Sequence, residues 1–311
     1  MSLHFLVKTA FKDLNEDHFK ILEILVENLE KFEVIPIEFI TEHSNFDKSS
    51  VEKLLRKLNL YKLVWAPKGK TRGYVLNYNG LDFLALKKLV DKNILEGLGK
   101  PIGVGKEADV YEGFTPSGEE CAIKFFRIGR TSFRSYGKRR STLTSIHSYL
   151  HASIEAARFE FQALKILYPR GVAVPEPIAR EKHIVVTKIF RGIEIPSAQY
   201  INNPEKVLKE IILNIWKAYE ANVVHSDLSV YNILITPTED ILIIDWPQWV
   251  ERSHPMAFTY LKRDLKNLLR YFSKKWKIRE LSEECREIIE KILKEILNID
   301  EYHNFLKGVF Q

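Results

Sequence analysis

Cysteine is nearly absent from this 311-residue chain, which carries only Cys121 and Cys285, in separate segments. They form neither a CxxC pair nor a zinc spacing, so no disulfide framework and no structural metal site is indicated. No apolar run reaches the roughly 18 residues that a membrane-spanning helix requires. The opening residues, MSLHFLVKTAFKDLNEDH, turn polar and acidic too early for a secretory leader. Repeats and low-complexity stretches are missing as well. These absences leave the expectation of a soluble, cytoplasmic protein with no membrane partner.

What is present is a chain long enough for two domains and a sizeable core. Its net charge of +6 favours a polyanionic partner, though only modestly. Residues 15–31 place Phe19, Leu22, Leu25, Val26 and Leu29 on one stripe of a helix. Pro36 opens a short second helix. Asp47 or Ser49 can cap a third, with Val51, Leu54, Leu55 and Leu58 on its apolar side. Two extended pieces, LVWAP and GYVLN, flank the basic KGKTR, and a fourth helix runs from about Gly80 to Asp91. Helix, helix, turn, helix and a basic-tipped hairpin is the order of a winged helix, here assigned to residues 1–91. The third helix carries Lys48, Lys53, Arg56 and Lys57, and the wing carries Lys68, Lys70 and Arg72. Such cations release counterions from nucleic-acid phosphates, although a charged face on a small protein-docking module has the same composition. Residues 92–101 read as a short linker.

From residue 102 the pattern changes. IGVGKEADVYEGFTPSGEECAIKFF sets Gly103 and Gly105 between strand-like runs, turns at Pro116–Gly118, and ends a strand on Ala122-Ile123-Lys124. Glycines let a backbone approach phosphate oxygens, and a lysine on the neighbouring strand supplies a fixed positive charge. A lone GxG is usually only a turn; the run strand, GxG, strand, turn, strand, AIK is far more specific. Further on, HSDLSVYNILI spaces Asp227 and Asn232 as in a kinase catalytic loop, where the Asp orients or deprotonates the acceptor and the Asn binds metal. A hairpin built from 233–236 and 241–244 then delivers Asp245, in Ile243-Ile244-Asp245-Trp246-Pro247-Gln248. A buried Asp at a strand end is costly unless paired or coordinated, which favours a metal ligand. The spacing departs from an ordinary protein kinase, because Trp-Pro replaces Phe-Gly and no APE motif follows. The stretch from Asp245 to a helix near Leu261–Tyr271 is too short for an activation loop and a peptide-binding lobe.

GVGKEADVY, HSDLSVYNILI and IDWPQ resemble the RIO family of atypical kinases, and the proline and glutamine after Asp245 resemble its type-two, winged-helix branch. The resemblance covers essentially the whole chain. It implies an α+β, protein-kinase-like bilobal fold behind the winged helix, with residues 92–311 divided into an N-lobe (about 92–187) and a C-lobe (about 188–311). It implies that Gly103, Val104, Gly105, Lys106, Glu107, Ala108 and Val110 cradle the phosphates of ATP, with Lys124 contacting them. Asp227 would be the catalytic Asp, and Asn232 and Asp245 would hold Mg²⁺, or Mn²⁺ in its place. Asp245 is also the expected site of a transient aspartyl-phosphate. Lys188 to Phe190, after the strand Ile184–Thr187, would be the hinge whose backbone reads adenine. Ala108 stands where the family has Ser, and Trp246 where it has Phe.

The implied activity is ATP-dependent phosphorylation of Ser/Thr, including the protein's own, or of its own Asp, during maturation of the small ribosomal subunit. The partners would be the pre-ribosomal particle and its RNA, met by a monomer. The alternative is a nucleotide-regulated RNA-binding assembly factor with little kinase activity. For the basic run 127–140 the resemblance implies a loop near the nucleotide, phosphorylated at Ser132, Ser135 or a neighbour, with Phe133 and Tyr136 able to stack on bases; a solvated basic loop is the alternative. On the helix over 151–167, Glu160 is the candidate partner of Lys124 and Glu155 its rival. His225 is expected to support the catalytic loop by hydrogen bonding, and Arg263 and Asp264 to be structural.

Overall fold

A computed structural model of the chain describes residues 3–68, 72–129, 143–294 and 299–310. It divides into two units: Met1–Arg158 with Ile178–Thr187, and Phe159–Pro177 with Lys188–Gln311.

In the first unit, helices α1 (Leu3–Asp13), α2 (Glu16–Glu27), α3 (Ile37–Ser44), α4 (Lys48–Leu60) and α5 (Tyr78–Asp91) surround a small sheet. That sheet has the order β1 (Ile35–Pro36), β3 (Gly73–Leu76), β2 (Val64–Trp65). Of the two candidate caps for α4 the structure uses Asp47, whose carboxylate accepts the Ser50 N–H at 3.0 Å. The α2 stripe is buried throughout, and Val51, Leu55 and Leu58 of α4 are fully buried against it. Helix α1 was not anticipated from the sequence; its Ala10 joins this core.

The larger, five-stranded sheet runs β4 (Gly97–Val104), β5 (Ala108–Phe114), β6 (Glu120–Phe126), β8 (Ile184–Lys188), β7 (Pro177–Glu181). Strand β4 starts inside the segment expected to be a linker. Gly97, Gly99 and Pro101 hide its strand character, yet a Cβ at Gly99 would sit 2.8 Å from that of Glu112, so the close pairing with β5 itself demands glycine. Turn residues 115–119 close β5 onto β6, with Gly118 at φ 80°. Ala85, Leu86 and Leu89 of α5 share one core with Cys121, Ile123, Phe125, Ile184 and Val186 of the sheet. The last helix of the segment expected to form a winged helix therefore also backs the five-stranded sheet. Helix α6 (Leu143–Leu167) begins well before the expected residue 151 and spans both units.

The second unit is built on α7 (Pro204–Glu220), α8 (Ala257–Trp276), α9 (Glu283–Lys294) and α10 (Ile299–Phe310). Its short strands are β9 (Ile193–Glu194), β10 (Val223–Val224), β11 (Ile233–Ile235), β12 (Ile241–Ile243) and β13 (Val250–Glu251). β11 pairs antiparallel with both β12 and β9, and β10 pairs with β13. Only residues 246–256 separate Asp245 from α8. Among the described residues, no helix is long and apolar enough to cross a membrane.

Candidate active site

The site residues of the first unit lie on three adjacent strands. Gly103 of β4 is opposite Val110 of β5, and Val110 is opposite Lys124 of β6. Residues directly opposite in antiparallel pairs share a face, so Gly103, Val110 and Lys124 form one row across the sheet. The intervening turn is held by Gly105 N–H on the Ala108 carbonyl at 2.8 Å and by Arg127 N–H on the Glu107 carbonyl at 2.6 Å. A Cβ added at Gly103 would meet only ordinary contacts, the nearest 3.8 Å away on Val110. The fold does not itself require glycine there, and the missing side chain leaves the backbone open to the approach of a ligand. Val104, Lys106 and Glu107 are exposed along this turn, and Ala108 is half-buried. The Lys124 ammonium lies 4.7 Å from the centre of the buried Phe126 ring.

In the second unit the three polar site residues come from two loops. Asp227 follows β10 and is exposed, with one carboxylate oxygen 4.0 Å from the Arg263 guanidinium. Asn232 ends a single helical turn, Val230–Asn232, and its amide NH₂ lies 3.3 Å from Asp245 Oδ2. Residues thirteen apart in sequence are thus brought side by side by the β11–β12 hairpin. Asp245 is exposed, not buried as expected from its place at a strand end, because β12 stops at Ile243 and the chain turns outward. The burial argument for a metal ligand falls, and accessibility takes its place. Asp245 has φ 70° and Ser226 has φ 65°, left-handed values that cost side-chain-bearing residues about 1–3 kcal/mol each and cluster at functional sites.

Buried supports hold these loops. His225 donates Nε2–H to the Ile244 carbonyl at 3.1 Å and packs on Trp246, their ring centres 4.5 Å apart. Burial holds the His225 imidazole below its usual range, so it is a neutral donor. Trp246 is itself buried and anchored by its indole N–H on the Ile243 carbonyl at 3.0 Å. The Ile244 amide donates to the Asn232 carbonyl at 2.8 Å, binding the two loops together just before Asp245.

A Mg²⁺ ion takes oxygen donors, often one or two carboxylates completed by substrate phosphates and water. Asp245 and Asn232 offer a carboxylate and an amide oxygen. Among the described residues no cluster of three or more His, Cys, Asp or Glu could hold a metal alone, so phosphates would have to complete the shell, and the donor set fits that role. In this structure the Asn232 oxygen accepts from Ser229 N–H (3.1 Å) and Ser229 Oγ–H (2.7 Å). Coordination through Asn232 therefore requires its amide to turn or to share that oxygen.

A profile described as "RIO domain" matches residues 109–288, more than half of the chain, and one described as "Rio2, N-terminal" matches residues 11–92. The chain belongs to the Rio2 branch of the RIO kinases. It is 38% identical over 253 residues to the RIO-type serine/threonine-protein kinase Rio2 of Methanocaldococcus jannaschii, covering 79% of this chain and 92% of that one. With the serine/threonine-protein kinase rio2 of Dictyostelium discoideum it shares 33% over 269 residues, 86% of this chain but 52% of the relative, so it spans about half the length of that protein. The crystal structure of the Rio2 kinase–ADP/Mg²⁺–phosphoaspartate complex from Chaetomium thermophilum superposes with a TM-score of 0.78 at 25% identity, covering 96% of each chain.

Sequence reasoning gave two residues of this RIO domain only a generic role. Asp264 of α8 is 2% exposed and accepts the Leu228 N–H at 3.1 Å, directly after Asp227. Burial pushes its carboxyl up to about 6, against the Leu228 amide and the Arg263 guanidinium, which favour its charge. Arg263 bonds the Ser226 carbonyl and Asp264, so it ties α8 to the residue before Asp227. An Arg-Asp pair expected at the start of a closing helix was the available signal; the helix in fact starts at Ala257, and only folding reveals which loop the pair grips. Among the other candidates, Glu155 is occupied by Arg158 at 2.6 Å, whereas Glu160 is buried. The Lys188 amide already donates to the Glu176 carbonyl at 2.9 Å, and Phe190 packs over Gly192. Ser132, Phe133, Ser135, Tyr136 and Lys70 lie outside the described residues.

Proposed function

We propose that this chain is an ATP- and Mg²⁺-dependent phosphotransferase whose Asp245 accepts the γ-phosphoryl group, and that it acts as a monomer in the cytoplasm on precursors of the small ribosomal subunit. The observation that carries the chemistry is the pairing of Asn232 with an exposed, left-handed Asp245, 3.3 Å apart. The Gly103–Val110 loop and Lys124 hold the phosphates, and Asp227 orients the acceptor or water. Bound Mg²⁺ would neutralise developing charge on the phosphates. Asp245 Oδ attacks the γ-phosphorus as the bond to the β–γ bridging oxygen breaks, and ADP leaves. Water then hydrolyses the acyl phosphate, releasing inorganic phosphate and restoring the carboxylate. The phosphoaspartate in the related Chaetomium complex supports this order, and the short 246–256 segment leaves no room for a peptide-binding lobe.

In a trapped single turnover with labelled ATP, the wild-type protein is expected to carry phosphate that hydroxylamine removes. Asp245→Asn is expected to bind ATP without forming that adduct, and Asp227→Ala to lose turnover while binding ATP within about three-fold of wild type. Phosphate that resists hydroxylamine and maps only to Ser or Thr would replace this assignment with that of a hydroxyl-directed kinase.

A specific surface supports ribosomal RNA as the partner. A cleft of about 500 Å³ between α4 and the wing is lined by Arg56, Lys68, Arg72 and Tyr74, with Glu52 bound to Arg72 at 3.2 Å. Lys57 faces elsewhere, held on Asp13 at 2.9 Å, and Lys48 is paired with Glu38 at 2.7 Å. Reversing Arg56 and Lys68 is expected to weaken RNA binding and to lower the slope of log affinity against log salt by about 0.7–0.9 per lost phosphate contact. An unchanged slope would make this cleft a protein-docking surface.

A further inference from the structure

The winged helix and the phosphate loop are joined by a buried ionic network centred on Arg127. The residue follows β6 directly, and its side chain is 8% exposed. Its guanidinium grips Asp82 of α5 with two bonds, Nη1–H to Oδ1 at 2.5 Å and Nη2–H to Oδ2 at 2.8 Å. The remaining Nε–H reaches Asp109 of β5 at a longer 3.3 Å. His183, fully buried, adds Nε2–H to Asp82 Oδ1 at 2.7 Å. Two buried carboxylates therefore share the Arg127 guanidinium, and His183 adds a bond to one of them.

The same residue holds the phosphate loop through its backbone. Arg127 N–H donates to the Glu107 carbonyl at 2.6 Å, and Phe126 N–H to the His183 carbonyl at 3.0 Å. The next peptide is clamped as well, because Ile128 N–H donates to Ser153 Oγ and Tyr78 Oη–H, from α5, to the Ile128 carbonyl. Asp109 faces the back of the sheet and Val110 the row of Gly103 and Lys124. Whatever fixes Arg127 thus fixes the loop at Glu107, by main chain, and at Asp109, by side chain.

We propose that Asp82, a winged-helix residue, is a positioning residue for ATP, setting the phosphate loop through Arg127. Asp82 takes the better two of the three bonds and so holds the guanidinium away from Asp109. Without Asp82, the guanidinium loses its two shorter bonds and keeps its attraction to Asp109, which is strong in a water-poor setting. The guanidinium moves toward β5 and draws Glu107 and Asp109 from the geometry that receives phosphates. The winged helix then contributes to nucleotide affinity without touching the nucleotide. The inference rests on Gly103–Val110 and Lys124 being the phosphate site.

The test measures the dissociation constant of a fluorescent ATP analogue with Mg²⁺, and KM and kcat for ATP turnover, in the full-length chain. Asp82→Asn and Asp109→Asn are expected to raise the dissociation constant and KM about five- to tenfold with kcat within about two-fold. Asp109→Asn acts from the loop side and gives the same readout should Asp82→Asn not fold. Leu55→Ala, in the winged-helix core, is expected to lower the thermal midpoint and leave KM unchanged. Folded Asp82→Asn protein with wild-type affinity for ATP overturns the proposal, as does a Leu55→Ala protein whose KM rises equally. Lys124→Met separates the two failures. If it weakens ATP binding while Asp82→Asn does not, the coupling is wrong and the phosphate site stands. If Lys124→Met leaves binding unchanged, the phosphate site is wrong and the coupling falls with it.

Discussion

Asp264 shows how much a single side chain does for the Asp227 loop, to which it does not belong. Its carboxylate satisfies the Leu228 amide one residue after Asp227, while Arg263 beside it holds the Ser226 carbonyl one residue before. With Ser226 in a left-handed conformation, the loop needs this restraint from both sides. Asp264→Ala is expected to lower stability by about 1–3 kcal/mol, the cost of leaving a buried N–H without an acceptor. Asp264→Asn keeps an acceptor and is expected to cost less in the same denaturant titration. Equal losses in the two variants would show that the Leu228 bond is not what Asp264 contributes.

At the level of elements, α5 belongs to two structures. Its apolar residues Leu81, Phe83 and Leu84 lie in the winged-helix core, and Ala85, Leu86 and Leu89 lie against the five-stranded sheet. That double burial explains why the helix reads as apolar on most of its circumference and why Asp82 stands out within it. The helix starts at Asn77, whose side-chain oxygen accepts the Gly80 N–H at 3.2 Å and whose NH₂ donates to the Lys62 carbonyl at 3.0 Å. Asn77→Ala removes both bonds and is expected to cost about 1 kcal/mol, read as a lower urea midpoint at unchanged slope. No change in the midpoint would mean that packing alone starts the helix.

For the molecule as a whole, buried histidines set a pH limit. His183 donates Nε2–H to Asp82 and His147 donates Nδ1–H to the Phe32 carbonyl at 2.6 Å. The other ring nitrogen of each is buried with no hydrogen-bond partner among the described residues. Burial holds both imidazoles below their usual 6.5. The unfolded chain therefore takes up these protons first, and the stability that the neutral rings supply is full above about pH 7 and lost as pH falls through 6.5. Asp264, raised to about 6, works in the opposite sense, since its native form takes a proton first between about 6 and its ordinary 3.8. With His225, which burial also holds low, three histidines against one carboxyl predict a net loss. The thermal midpoint should drop between pH 8 and pH 5.5, and His147→Gln should flatten that dependence. A midpoint that stays level would place both imidazoles in contact with water.

The sequence alone determined the local layout of the candidate site, because each part of it is a short-range pattern. The spacing of Asp227 to Asn232 is set within one loop, Gly103 and Lys124 by neighbouring strands, and the α2 and α4 stripes by helical period. It also placed the hairpin that carries Asp245, since two short Ile-rich runs around a turn need no distant partner. Tertiary structure decided what depends on residues far apart. It turned Asp245 to the surface, chose Asp47 as the cap, aimed Lys57 at Asp13 and away from the wing, and made a strand of a glycine- and proline-bearing stretch through its pairing with β5. It also brought Asp82, Asp109, Arg127 and His183 into one buried set. No local pattern marks such residues. A buried charge is tolerable only where an opposite charge from another element meets it, and that meeting exists only in the folded chain.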